Sequence, residues 1–479
     1  MNEFKEPNTI KDSDISVYER SRIKNPGYHE EIDRLFKFLV PDGLRVLELG
    51  CSTGRLLAGT KPSYGLGIDI DAENIAVAKY IHRDRLELEF KVGNAEDFSY
   101  QGEPFDYIIL SDLTCVLSDV QRVFTNLQPA CGIRTRVIIQ FYSHLWRPIL
   151  SFAALIGRRK KVKECNWLSL SDIENLLYLS GFEVITKGGR ILLPLRIPII
   201  SWIANRFLAK IPFLRLLCLT WYVVARPFPE KPIHNFSKPS VSIVIPTRDE
   251  KGNIEDIFTR TPPMGKWTEL IFVDGNSTDG TIEVIKAGIA KYSGKWKRVL
   301  LLNQTGKGKG QAVHQGFAEC QGDILMILDS DLTMPPEELP KYYQAIIEAK
   351  GELINGCRLV YAMEKEAMRF LNMLANHTFA KLFSWLLGQP LKDTLCGTKV
   401  IWRDAYEYIC KNRAYFGNFD PYGDFDLLFG AAKLNLKIVD MPIHYCERKY
   451  GQIKINRLRD GLLLLRMSLI AFWKFKILG

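Results

Sequence analysis

Short apolar runs alternate with longer mixed segments through the first half of the chain. Arg45–Gly50, Tyr64–Ile70, Leu86–Val92, Tyr107–Leu110 and Arg136–Phe141 are rich in Val, Ile and Leu. The stretches between most of them are long enough for crossover helices, which predicts a parallel, doubly wound sheet. Phe182–Thr186 and Leu219–Ala225 predict two more strands. The rhythm stops in ARPFPEKPIHNFSKPS, Ala225–Ser240, whose prolines block helix and sheet. It restarts with VSIVIP at Val241, ELIFVD at Glu269 and DILMIL at Asp323. The pattern predicts an α/β chain of two tandem domains. Its expected parts are a tail at 1–19, a domain at 20–226, a linker at 227–240, a second domain at 241–456 and a basic amphipathic C-terminal helix at 457–479.

With 479 residues the chain has room for two such cores. The longest uncharged stretches, such as Pro148–Gly157 and Leu216–Ala225, fall well short of the ~20 apolar residues that a bilayer span needs. MNEFKEPNTIKDSD lacks the apolar segment of a secretion signal, so a cytoplasmic chain is expected. The ten cysteines form no C-x-x-C pair and read as reduced thiols, without a zinc cluster or disulfide framework. The net charge is +10, and Glu447–Gly479 holds eight Lys or Arg against two acids. Anionic lipid and nucleic acid both attract such a patch. Ile197–Leu217, with Arg206, Lys210 and Arg215, reads as an amphipathic helix, either lying on a membrane or packed on its own sheet.

The first strand ends in Glu48-Leu49-Gly50-Cys51-Ser52-Thr53-Gly54, a glycine turn that lets a ligand approach the backbone. Asp69 follows the second strand, at the distance where an acid accepts from ribose hydroxyls. These residues resemble the class I S-adenosylmethionine-dependent methyltransferases, over residues 20–226. The resemblance implies cofactor contacts from Glu48, Gly50, Ser52, Gly54 and Asp69, from Asn94 and Ala95 after the third strand, and from Asp112 after the fourth. Ser52 stands where that family usually has a glycine, and Asn94 where it often has an aspartate. His144, at a strand end, is a candidate base or a structural histidine.

In the second half, three strands deliver acids to one expected sheet edge: Glu250 after the first, Asp274 after the second, and Asp329 with Asp331 after the third. Asp329 and Asp331 are two apart, so an extended chain points both carboxylates to one side, where Mg²⁺ or Mn²⁺ can relieve their repulsion. Gly306-Lys307-Gly308-Lys309-Gly310 lacks the spacing of a phosphate-binding P-loop and is expected to lead into a helix at Gln311–Ala318, with a phosphate contact as its alternative role.

Together these residues resemble the family 2 glycosyltransferases of the dolichyl-phosphate mannosyltransferase-like branch, over about residues 241–456. The resemblance implies a GT-A fold following the Rossmann-like methyltransferase fold. It implies nucleotide-sugar contacts from Pro246, Arg248, Glu250, Asp274, Asp329, Ser330, Arg358, Arg448 and Lys454, and a metal on Asp329 and Asp331. It also brings Asp424 or Asp426 towards the acceptor, as a base if that acceptor is a hydroxyl. A lipid phosphate would need cations instead, with Lys399, Arg403 and Arg448 as candidates.

The expected function is bifunctional. A metal-dependent, inverting transfer moves a sugar from a nucleotide-sugar to a polyprenyl phosphate or lipid-linked glycan, and an S-adenosylmethionine-dependent methyltransferase accompanies it. The absence of any Arg-Trp pair favours a single transfer over polymerisation. The C-terminal helix is expected to touch the cytosolic membrane face, and no nucleic acid is expected. The alternative is a glycosyltransferase whose first domain only binds. A nucleic-acid-associated methyltransferase is a third reading, opposed by the Asp-x-Asp domain.

Overall fold

The computed structural model describes residues 25–156, 166–229, 238–361, 370–415, 423–451 and 457–479, without the side chains of 370–372, 424 and 457–460. The chain divides into two compact units, Met1–Phe228 with Lys476–Gly479, and Pro229–Phe475.

In the first unit the strands are β1 (Arg45–Leu49), β2 (Tyr64–Asp69), β3 (Leu88–Val92), β4 (Phe105–Ser111), β5 (Cys131–Tyr142), β6 (Phe182–Arg190) and β7 (Thr220–Pro227), in the order β3-β2-β1-β4-β5-β7-β6. The first five are parallel, and β7 runs antiparallel to both β5 and β6. Alternation along each strand feeds two apolar layers: Leu47, Leu49 and Ile108 pack on one face, Val46, Ile109 and Ile138 on the other. Strand order reverses between β1 and β4, which opens a crevice at the carboxyl ends of these strands.

The second unit repeats the principle with β8 (Val241–Thr247), β9 (Thr268–Asp274), β10 (Arg298–Asn303), β11 (Ile324–Ile327), β12 (Leu353–Cys357), β13 (Lys399–Trp402) and β14 (Ile438–Pro442), ordered β10-β9-β8-β11-β13-β12-β14. β10, β9, β8 and β11 are parallel, while β13 is antiparallel to β11 and β12. β9 is buried along its whole length, as expected of a strand covered on both faces.

One expectation about helices changes. Ile197–Leu217 is no single helix: it forms a helix at Ile200–Arg206 and short turns at Leu208–Lys210 and Leu214–Leu217. Pro198 and Pro212 offer no backbone N–H, and Ile199 takes a left-handed φ of 65°. The C-terminal segment is helical at Arg457–Ala471 and continues as a π-helical turn, Phe472–Ile477. Leu464, Met467 and Ala471 are buried, with the Phe472 ring 6.0 Å from Trp385, while Leu462, Leu465, Leu469 and Trp473 stay exposed. No helix among the described residues is long and apolar enough to cross a membrane.

Candidate active sites

In the first unit the turn after β1 places Gly50, Ser52 and Gly54 all at positive φ. A Cβ on Gly54 would lie 2.3 Å from the Phe90 ring, so only glycine fits there. Asp69 Oδ2 accepts from the Ser52 backbone N–H at 2.7 Å, locking the turn to the end of β2. The Ser52 hydroxyl is buried in this turn with no hydrogen-bond partner. Glu48 points elsewhere. Its buried carboxylate accepts from the Leu57 N–H at 3.0 Å, and burial pushes its pKa well above the usual range. It therefore pins the helix after the turn. Asn94 caps the short turn Ala95–Asp97 by accepting from the Glu96 N–H at 3.0 Å.

Asp112, at a positive φ beyond β4, accepts from the Tyr28 hydroxyl at 2.5 Å and from Gln140 at 3.0 Å. Burial, then the Asp112 charge, raises the Tyr28 phenol well above its usual range, so it stays protonated and donates. Tyr142 stacks on Tyr28, ring centroids 5.8 Å apart. Sequence reading missed Tyr28, because nothing local ties a tyrosine on the helix Pro26–Leu39 to an acid 84 residues away. His144 is exposed just beyond β5.

In the second unit β8, β9 and β11 end together, and their loops form one rim. Asp274 is buried and accepts from the Ser277 N–H at 2.9 Å. The Ser330 hydroxyl donates to the Pro246 carbonyl at 2.8 Å, and Arg248 is exposed. Lys309 Nζ lies 2.6 Å from Asp329, while Arg448 reaches Asp331 at 2.5 Å and Glu250 at 3.2 Å. Each acid of the Asp-x-Asp pair is thus matched by a cation. Thr333 closes the remaining side of Asp331, donating to Oδ1 from its N–H at 3.1 Å and its hydroxyl at 2.9 Å. Lys309 opens the helix after the glycine-rich loop, for which the sequence offered a phosphate contact but no carboxylate partner. Among the described residues no cluster of three or more His, Cys, Asp or Glu forms a metal site.

Three proposed residues have other environments. Arg358 is tied in a fork to buried Asp393, Nε–Oδ2 2.7 Å and Nη2–Oδ1 2.9 Å. Burial alone would raise the Asp393 carboxyl, but the Arg358 charge outweighs it and holds the pKa below the usual range. Asp393→Ala would strand the arginine charge, so we expect a loss of about 3–5 kcal/mol in the second unit's stability, measured by urea denaturation. Arg403 donates its N–H to the Asp323 carbonyl, at the amino edge of β11, because β13 runs antiparallel. That is the sheet edge opposite the rim; Lys399, at the start of β13, is the end that meets it. Asp426 is buried against His314 at 3.1 Å and Arg413 at 2.8 Å. Burial would raise its pKa, yet these two partners hold it below the usual carboxylate range. Lys454 lies outside the described residues, as does the side chain of Asp424.

Residues 242–410 match the family model described as Glycosyl transferase family 2, and residues 20–187 match one described as Methyltransferase domain. A dolichol-phosphate mannosyltransferase of Pyrococcus furiosus is 37% identical over 221 residues, 45% of this chain and 59% of that protein. One from Saccharomyces cerevisiae is 38% identical over 110 residues, 22% of this chain and 40% of that protein. An undecaprenyl-phosphate 4-deoxy-4-formamido-L-arabinose transferase of Shewanella sediminis is 34% identical over 227 residues, 46% of this chain and 63% of that protein. The chain therefore spans between 40% and 63% of the length of these relatives. A solved S-adenosylmethionine-dependent methyltransferase from Mesorhizobium loti is similar at 18% identity and a TM-score of 0.31, covering 40% of this chain and 95% of that one.

Proposed function

We propose that this chain, a transferase that joins a methyltransferase domain to a family 2 glycosyltransferase domain, moves one sugar from a nucleotide-sugar to a polyprenyl phosphate and methylates the acceptor or product. The observation that carries the glycosyl reading is the rim of the second unit, where Glu250, Asp274, Asp329 and Asp331 meet Lys309 and Arg448.

Asp329 and Asp331 offer the hard oxygen donors that Mg²⁺ or Mn²⁺ takes, with diphosphate oxygens and water completing the shell. When bound, the cation would neutralise charge on the leaving nucleoside diphosphate. Carboxylates engaged in this way would free Lys309 and Arg448 to face the phosphates. The pairing of Asp426 with His314 and Arg413 favours an acceptor that needs no base. A lipid phosphate is such an acceptor, already anionic, and its attack on the anomeric carbon would invert the configuration there. The donor's base and ribose would lie by Pro246, Arg248, Glu250 and Asp274.

In the first unit the fit to S-adenosylmethionine rests on the glycine turn, the Asp69 lock and the unpartnered Ser52 hydroxyl. Its sulfonium supplies an activated methyl group, and the domain's task is to align the acceptor with it. Outside both sites, the exposed stripe Leu462, Leu465, Leu469 and Trp473, with the basic residues around it, would rest on the cytosolic membrane face.

A phosphate nucleophile sets the pH dependence. We expect transfer to rise through about pH 6, where a phosphomonoester takes its second charge. Asp426 should add no inflection of its own near neutrality, since its pKa is held low. A rate profile from pH 5 to 8, with Asp426→Asn alongside, checks this: the variant should keep the same midpoint. Mass spectrometry of lipid-linked sugars from cells with and without the gene tests the function itself. A polyprenyl-phosphate sugar should disappear with the gene, and an unchanged lipid profile would reject the reading.

A further inference from the structure

The segment joining β6 to β7 has its polarity inside out. From Leu195 to Leu217 its exposed residues are Leu, Ile, Trp, Phe and Pro, with the single charge Arg196. Ile199 is 72% exposed, and Trp202, Phe213 and Leu216 are at least half exposed. Arg206 and Lys210, by contrast, are only 8% and 7% exposed. Arg206 donates from its guanidinium to the Ile477 carbonyl, within the same unit. The helix Arg147–Leu155 adds Phe152 at 62% and Leu155 at 72%. The Trp146 indole N–H, donating to the Leu217 carbonyl at 2.8 Å, brings the two segments side by side. An apolar surface shared by two adjoining segments marks an interaction site in a water-soluble fold.

Topology puts this surface at the cofactor's edge of the sheet. β5 ends at Tyr142, opposite Thr220 of β7, and Thr220 faces Arg190 at the end of β6. The segment 191–219 therefore leaves and returns at the carboxyl edge that also carries the Gly50–Gly54 turn and Asp112. A Cβ on Gly27 would lie 3.6 Å from the Pro194 carbonyl oxygen, and the neighbouring Tyr28 holds Asp112.

Charge selects the occupant. No Asp or Glu occurs between Glu183 and Glu230, or between Asp119 and Glu164. Arg147 and Arg196 are exposed beside the apolar residues. A second copy of the chain would set Arg147 and Arg196 against their counterparts. Anionic headgroups above acyl chains match both the charge and the apolar face.

We propose that the carboxyl edge of the first unit seats on an anionic bilayer through the 191–219 segment and the helix Arg147–Leu155, so that its methyl acceptor is a lipid-borne molecule. This rests on the methyltransferase reading above and adds the surface by which the domain reaches its lipid-borne acceptor.

The test is flotation of the full chain with vesicles of phosphatidylcholine, with and without phosphatidylglycerol, for the parent and for Trp202→Glu/Phe213→Glu, both carrying Leu465→Glu/Leu469→Glu to remove the C-terminal membrane stripe. The expected result is at least a tenfold loss of flotation in the variant, with S-adenosylmethionine affinity unchanged by calorimetry. Methyl label reaching the lipid extract of isolated membranes should fall with it. Equal flotation of parent and variant would overturn the proposal, as would a parent dimer that the variant breaks. Should the double variant unfold, brominated phosphatidylcholine decides instead: the parent's tryptophan fluorescence should be quenched, and Trp202→Phe should quench less. Equal quenching in the two would reject the seat. Glycosyl transfer to detergent-dispersed polyprenyl phosphate is run in parallel. Its absence in the parent would count against the glycosyl reading and leave the seating result to stand by itself.

Discussion

Asp331→Ala is expected to lower sugar transfer by about 10²–10³-fold, the scale seen when a preorganised electrostatic partner of the transition state is removed. Asp331 sits where β11 delivers its acids, and Arg448 binds it and Glu250 together. Removing the carboxylate deletes one of the two oxygen ligands proposed for the metal. It also removes one of the two carboxylates that Arg448 bridges, which would draw the guanidinium from the Asp-x-Asp loop towards Glu250 and the loop after β8. Initial rates at saturating donor and a metal titration of nucleotide binding measure both effects. The variant should need far more Mg²⁺ or Mn²⁺ to bind nucleotide. A folded variant that keeps transfer within tenfold of the parent, at the same metal requirement, would contradict the site.

Gly50→Arg is expected to weaken S-adenosylmethionine binding by at least about 100-fold, roughly 2.7 kcal/mol, while glycosyl transfer stays within twofold. Gly50 has φ of 74°, a region unfavourable to any residue with a Cβ, and that Cβ would lie 2.9 Å from Leu113 Cδ1. The arginine must then shift the turn that Asp69 and Ser52 hold in place. The second sheet and its rim belong to the other compact unit, so they should not feel the change. Calorimetry with S-adenosylmethionine and the transfer assay on the same preparation give the two numbers. Loss of both activities from a folded variant would show that one domain controls the other.

What the sequence revealed follows from which signals are local. An apolar run ending in an acid places that acid at a strand's carboxyl end, so Asp69, Asp274, Asp329 and Asp331 were legible from their neighbours alone. The direction of β13 was not, because the apolar run Val400-Ile401-Trp402 reads the same either way, and Arg403 consequently fell at the wrong edge. Arg358 was read only as a nucleotide-sugar contact, and its pairing with Asp393 was missed because that acid lies 35 residues further on. The pairing of Lys309 was missed for a similar reason: its loop offered only a phosphate contact, and its contact with Asp329 exists only once the strands are stacked. Ile197–Leu217 showed its mixed composition but not its orientation. Helical periodicity assumes cations point outward, and here Arg206 and Lys210 turn inward.

The central claim, sugar transfer to a polyprenyl phosphate at the Asp-x-Asp rim, is tested most directly by incubating the full chain with labelled nucleotide-sugars, detergent-dispersed polyprenyl phosphate and Mn²⁺. The label is then followed into the organic phase, with Asp329→Ala as control. The account predicts one labelled sugar per lipid phosphate from at least one donor, absent in the control and abolished by chelation. Label that never leaves the aqueous phase with any donor, or that reaches the lipid equally with Asp329→Ala, would contradict it.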